Sequence, residues 1–297
     1  MISLQYYLLF ALTWLVSLIP FRLLYGISDL LFVVTFHLAR YRKKTVYRNL
    51  RNSFPENTDV ENDKLARAFY RHFCDFLLES IKCIRIPIEQ LDKRMRFINP
   101  EIFDELAREG KNFALVSSHY NNWEWLMHIP LKMRHDFLVI YRPLKNKAVD
   151  RLSGYMRGRF KPILIPMENI YRQGLKYKSE NRLFSIWFIA DQRPPRSSKF
   201  WTRFLNQETP FFEGVEKISA RLGLAVVFMD VQKVSRGHYE VTFKRLFDDA
   251  SATAENKVLL TCIQEMEDEI RKKPEFWLWS HKRFKHIKPE QINLVNR

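Results

Sequence analysis

Apolar side chains recur at three- and four-residue intervals between Asn62 and Ile86, at Leu65, Phe69, Phe73, Phe76, Leu77 and Ile81. That spacing predicts a helix, ended by Pro87. Further on, the pattern changes to short apolar runs bounded by polar residues. Phe113–Ser117, Phe137–Tyr141, Ile163–Ile165, Leu183–Ile189 and Ala225–Val231 read as strands. Trp123–Lys132, Lys147–Gly158 and Val215–Leu222 read as helices, the last closed by Gly223 at a C-cap position. Strands that alternate with helices predict an α/β fold with a mostly parallel central sheet flanked by helices. Tyr239–Lys244 alternates inward and outward residues and reads as an antiparallel edge strand. A last helix is expected from Ala254 to Lys272, stopping before Pro274. No repeat, low-complexity tract or long linker interrupts the chain.

The N-terminus follows neither period. Met1 to Phe21 carries no charged side chain and is apolar on every helical face. A helix crossing the hydrocarbon core needs about 20 such residues. A second apolar stretch, Leu23 to Leu38, contains Asp29. The cluster Arg40, Arg42, Lys43, Lys44, Arg48 and Arg51 comes next, and positive charge beside an apolar segment marks the cytoplasmic side of a membrane. A cleaved signal peptide fits poorly, because no basic region precedes the run and no small-residue cleavage site follows it. The favoured reading is an N-terminal membrane anchor, with the second stretch at the interface or packed on the domain. A buried helical hairpin is the alternative. The favoured reading divides the chain into anchoring helices, residues 1–40, and an α/β domain, residues 41–297.

Charge narrows the partners. The 297 residues include 49 Lys and Arg against 33 Asp and Glu, a formal net charge of +16. This favours acidic partners, whether anionic lipid, nucleic acid or an acidic carrier protein, without choosing among them. Cys74, Cys83 and Cys262 show no metal spacing and no even-numbered disulfide framework, and read as reduced thiols.

The most informative segment is Ser117-Ser118-His119-Tyr120-Asn121-Asn122-Trp123-Glu124, directly after an apolar strand. Ligands of α/β sheets gather at the carboxyl ends of strands. There a histidine can take a proton from an alcohol while a carboxylate fixes its tautomer. In a regular helix His119 and Glu124 would lie about 140° apart and would not meet. They can meet if His119 precedes a helix and Glu124 opens it, with Asn121 or Asn122 as N-cap. Asp191 and Gln192 also end a strongly apolar run and would face the same crevice; an ordinary capped turn is the bland alternative. Arg142, after another strand, could bind a phosphate or carboxylate or sit in a surface ion pair. Phe211-Phe212-Glu213-Gly214 could present backbone amides to an anion, or simply turn into a helix. The C-terminal stretch Pro274 to Lys285 interleaves aromatics with bases. It could stack on nucleic acid, lie at a membrane interface, or pack as an element under the active site.

Taken in order, four of these segments resemble one family, the late (secondary) acyltransferases of lipid A biosynthesis within the lysophospholipid acyltransferase superfamily. They are Arg48-Asn49-Leu50 through Phe54-Pro55, Ser118 to Glu124 with its His-x4-acid motif, Ala190-Asp191-Gln192, and Pro274 to Lys285. The resemblance implies His119 as general base and Glu124 as its orienting acid. It places Arg142, Asp191, Gln192 and Asn122 at the substrate site. It implies an acyl carrier protein thioester as donor and a hydroxyl of a lipid A precursor as acceptor, at the cytoplasmic face of the inner membrane. No metal or organic cofactor is implied. Asn121-Asn122-Trp123 and Arg193-Pro194-Pro195-Arg196 depart from the usual filling of their motifs, which leaves an aminolipid or another glycolipid open as acceptor. A basic membrane-surface protein without chemistry is a rival reading. So is a hydrolase, although no Gly-x-Ser-x-Gly elbow is present. A nucleic-acid binder ranks last, because it gives no reason for the apolar N-terminus.

Overall fold

The computed structural model describes residues 4–296. Nine strands are present among them: β1 (Met95–Phe97), β2 (Phe113–Ser117), β3 (Asp136–Tyr141), β4 (Ile163–Pro166), β5 (Phe184–Ile189), β6 (Trp201–Phe204), β7 (Gln207–Pro210), β8 (Ala225–Ser235) and β9 (His238–Phe247). Seven form one sheet in the order β1-β9-β8-β2-β5-β3-β4, and β6 pairs with β7 alone. Within the large sheet only β8 and β9 are antiparallel neighbours. The fold is therefore α/β around a mostly parallel sheet.

Both faces of the sheet are covered. In β2, Ala114 and Val116 join one core cluster while Phe113 and Leu115 join the other. In β8, Val226 and Phe228 go to the first, and Ala225, Val227 and Met229 to the second. Burial on two faces is why these strands read as continuous apolar runs rather than alternating ones. The last helix, Lys257–Lys272, covers the first face with Val258, Leu259, Ile263, Met266 and Ile270. Gly223 closes helix Gly214–Leu222 in the left-handed region, φ 63°, as a C-cap glycine does.

Four N-terminal helices pack beside this unit: α1 (Leu4–Leu18), α2 (Phe21–Phe32), α3 (Lys43–Ser53) and α4 (Asp59–Lys82). A capping box starts α4: Thr58 Oγ1 accepts from Glu61 N (3.3 Å) and Glu61 Oε2 accepts from Thr58 N (2.7 Å). A π-helical turn, Val33–Leu38, continues α2. Phe21–Leu38, 18 residues of mean hydropathy 1.4, is long and apolar enough to cross a membrane by length and composition. The first apolar run was expected to anchor the chain. Its described residues include the 15 of α1, about 22 Å of helix at about 1.5 Å per residue against a hydrocarbon core of about 30 Å; residues 1–3 of that run lie outside the described residues. Both helices dock inward. Lys82 Nζ donates to the carbonyls of Ser17 (2.5 Å) and Ile19 (2.9 Å), satisfying the end of α1. Phe21 and Leu24 enter the second core cluster, and Phe32 and Phe36 the first. Their outer faces expose Leu8, Leu12, Leu15, Leu23, Leu30 and Leu38.

Several elements differ from expectation. Strand β9 is interior, because the short β1 pairs with it and takes the edge. The segment expected as a helix over Trp123–Lys132 is 3-10 from Trp125, and Pro130 within it cannot supply an α-helical hydrogen bond.

Candidate active site

Strands β2 and β5 run parallel with Ser117 opposite Ile189. Ala190 N then donates to Ser117 O (3.0 Å), holding the two exits side by side. Two residues past each partner stand His119 and Asp191. This register brings together side chains 72 positions apart: His119 Nδ1 lies 2.7 Å from Asp191 Oδ1. A carboxylate only accepts, so Nδ1 carries the proton and Nε2 keeps its lone pair. Gln192 Nε2 donates to that lone pair at 2.9 Å, on the solvent side.

Asp191 is 2% exposed. Burial alone would raise its pKa, but attraction to His119 and hydrogen bonds from His119 and Trp277 outweigh it and hold the carboxyl down at about 2. Trp277 Nε1 donates to Oδ2 at 2.8 Å. The indole is delivered by a short antiparallel bridge between the His119 loop and the C-terminal stretch. Asn121 N donates to Phe276 O (3.0 Å) and Leu278 N to His119 O (3.2 Å). Of the three readings open for Pro274 to Lys285, packing under the site is the one these contacts describe. The Arg48-Asn49-Leu50 segment supports the same stretch: Asn49 Nδ2, buried in α3, donates to Trp279 O (2.9 Å) and His281 O (3.0 Å).

Glu124 does not take the expected place. Its oxygens accept from Arg157 Nε (3.1 Å) and Nη2 (2.6 Å), and the partner of His119 Nδ1 is Asp191. The sequential placement was as expected, with His119 before the helix and Glu124 at its start. The direction was not: Asn121 adopts φ 54°, and the chain turns Glu124 toward helix Lys147–Gly158, which carries Arg157. Asn122 also departs from its expected substrate role. It is fully buried; its Oδ1 accepts from Trp125 N (3.1 Å), three residues on, and its Nδ2 donates to Glu79 Oε2 (2.8 Å).

Arg142 follows β3, next to β5, and is exposed on the carboxyl edge of the sheet that also carries His119 and Asp191. Among the described residues no carboxylate pairs with it. Three supports were not foreseen. The ring of Trp123 meets His119 edge-on at 5.0 Å. Ser118 Oγ donates to Glu269 Oε2 (2.9 Å), whose other oxygen accepts from Val231 N (2.9 Å). Burial drives the Glu269 carboxyl well above the usual range. His281 is pushed down to about 4 by burial, so it is neutral at physiological pH beside this site. The order of motifs along the chain carried no sign of these contacts.

The family described as bacterial lipid A biosynthesis acyltransferase matches residues 2–286, from the first apolar helix through the C-terminal stretch. This chain belongs to that family. It is an acyltransferase. Similar proteins include the lipid A biosynthesis lauroyltransferase of Escherichia coli K12, 25% identical over 94% of this chain and 90% of the relative. The lipid A biosynthesis palmitoleoyltransferase of the same organism is 24% identical over 92% of this chain and 88% of its own length. A lipid A biosynthesis acyltransferase of Haemophilus influenzae is 22% identical over 89% and 82%. The matched residues include every element that builds the His119 site.

Proposed function

We propose that this protein moves a fatty acyl chain from an acyl carrier protein thioester to a hydroxyl of a lipid A precursor, with His119 as general base and Asp191 as its orienting partner. The observation that carries the reading is the pairing of His119 Nδ1 with a buried, ionised carboxylate, which leaves Nε2 basic and turned toward solvent. The acceptor hydroxyl displaces the Gln192 amide from Nε2 and gives its proton to the ring. The alkoxide oxygen forms a bond to the thioester carbonyl carbon. Collapse of the tetrahedral intermediate breaks the carbon–sulfur bond, and the imidazolium returns the proton to the departing thiolate. Asp191 steadies the imidazolium between the two transfers.

The exposed Arg142 guanidinium takes an anionic group of a substrate through its planar fork. A net charge of +16 suits an acidic carrier. Phe21–Leu38 and the outer faces of α1 and α2 seat the enzyme in a membrane, with the basic cluster after Leu38 on the cytoplasmic side.

Purified full-length protein, an acyl carrier protein thioester and a phosphorylated glucosamine disaccharide bearing 3-hydroxyacyl chains test the reading together. Mass spectrometry should find the acceptor heavier by one acyl unit, with one thiol released per transfer. His119→Ala should slow this by roughly 10²–10⁴-fold. Thiol release without acylated lipid would mark a hydrolase and sink the proposal.

A further inference from the structure

Six cations, Arg40, Arg42, Lys43, Lys44, Arg48 and Arg51, line a groove of about 920 Å³ at the foot of the apolar N-terminal helices. None of its described lining residues is acidic. Arg51 pairs with Asp59 at 3.0 Å; among the described residues the other five pair with no carboxylate. Arg40 and Arg42 both sit in the left-handed region, φ 48° and 52°, a strained backbone for residues with side chains. Lys43 Nζ lies 3.8 Å from the ring centroid of the buried Phe36 and 5.7 Å from that of Tyr47, which lines the groove. Asp59 on Arg51 and Asp63 near Lys43 are the acids these cations feel, fewer than the six like charges that repel one another, so an anion from outside would complete the arrangement.

We propose that this groove binds the phosphate of a membrane-lipid headgroup. The inference rests on the reading that the N-terminal helices lie in a membrane. Leu30, Val34 and Leu38 are exposed in the turns that lead in sequence to the groove-lining His37 and Arg40, so its cations stand where an apolar surface gives way to water. That is the depth of lipid phosphates, and basic clusters just beyond an apolar helix bind anionic headgroups. The groove is open and of a volume that a lipid headgroup can enter. The groove also touches the catalytic edge. Arg42 Nη1 donates to Ser280 O (3.1 Å), and Asn49 on the same helix holds Trp279 and His281. That stretch carries Trp277 to Asp191, so an occupied groove firms the support of the catalytic carboxylate.

Full-length protein in detergent, presented with phosphatidylglycerol or phosphatidylcholine and examined by native mass spectrometry, tests this. The wild type should retain phosphatidylglycerol in preference. Each cation is worth roughly fivefold in affinity, so Arg40→Gln/Lys44→Gln/Arg48→Gln should lose on the order of 100-fold. A single Lys44→Glu keeps the test open should the triple variant fail to fold. Equal retention of both lipids, or an unchanged variant, overturns the inference. Competition by glycerol 3-phosphate as strong as by lipid also overturns it, because free phosphate would then suffice. A variant that keeps its lipid but loses rate only with the carrier-protein donor would reassign the groove to protein docking. Flotation on phosphatidylcholine vesicles separates the underlying reading: a wild type that does not float refutes membrane seating, whereas one that floats without headgroup preference refutes only the groove.

Discussion

Asp191 and Glu79 are carboxyl groups sealed from solvent, at 2% and 0% exposure, and both touch the loop that carries His119. Their shifts are opposite. Asp191 accepts from an imidazole that can itself become positive and from an indole, and is held down at about 2. Glu79 accepts from three neutral donors: Tyr25 Oη (2.9 Å), Tyr239 Oη (2.8 Å) and Asn122 Nδ2 (2.8 Å). Burial raises its carboxyl despite these bonds and the attraction of Lys233. Donor number therefore does not decide ionisation inside this protein. A partner able to carry charge in direct contact does, since it repays the desolvation of the carboxylate. Ionisation is favoured at the proposed catalytic edge, and the neutral form is favoured behind the loop.

The largest expected effect breaks the first half of that contrast. In Asp191→Asn a single carbonyl oxygen would face two donors, His119 Nδ1–H and Trp277 Nε1–H. With the amide NH₂ on Nδ1 the imidazole takes the Nε2–H tautomer and the base is lost; with the carbonyl there instead, the Trp277 N–H is left against an NH₂ and the imidazolium loses its anionic partner. The rate should fall on the order of 10³–10⁴-fold with the fold retained. A variant within tenfold of wild type would show that the Asp191 contact is not the one that matters.

The second test sets Asp191 against Glu124. If Glu124 acts through Arg157, then Glu124→Gln and Arg157→Met should do comparable damage. The double variant should be no worse than the poorer single, with a coupling of about 1–3 kcal/mol in a thermal-unfolding cycle. The pair is partly buried, at 17% and 25% side-chain exposure, so each single change leaves a charge uncompensated. Arg157→Met with nearly full activity beside a dead Glu124→Gln would restore Glu124 as a direct partner of the reaction.

This contrast also shows where the sequence could be read. The sheet was legible because strands buried on both faces leave unbroken apolar runs, and the end of each run marks the crevice. His119, Asp191 and Gln192 were found that way. Which acid meets His119 was not legible, because the answer lies in the β2–β5 register rather than in local spacing. The five-residue step to Glu124 suggested a neighbour, and the left-handed turn at Asn121 sends it elsewhere. The β6–β7 hairpin was missed for a similar reason. Its turn places Leu205 and Asn206 at φ 48° and 59°, where Asn-Gly or Asp-Gly is the usual signal. The packing of the C-terminal stretch under the site was one of three options, and only its bridge to the His119 loop separates them.

The smallest effect tests the neutral half of the contrast, through opposite responses of stability to pH. Asp191 is depressed, so its contribution is complete above about pH 4, the ordinary carboxyl value, and is lost as pH falls toward about 2. Glu79 is raised, so between the unfolded and folded values the native state holds a proton that the unfolded chain has released. Its contribution is complete below about pH 4 and is lost as pH rises toward the folded value. Gln mimics the neutral acid in Glu79→Gln: its carbonyl accepts from Tyr239 and Asn122 while its NH₂ donates to Tyr25 Oη. Measured by chemical unfolding in detergent between pH 5 and 8, the variant's disadvantage should shrink with rising pH. The slope is at most about 1.4 kcal/mol per unit, because one proton is involved. Other buried acids, Glu269 among them, titrate in both proteins and cancel in the difference. A gap that stays constant or widens with pH would mean that Glu79 is ionised in the native protein. Two buried carboxylates would then flank the loop, and the division between a charged catalytic edge and a neutral brace would fail.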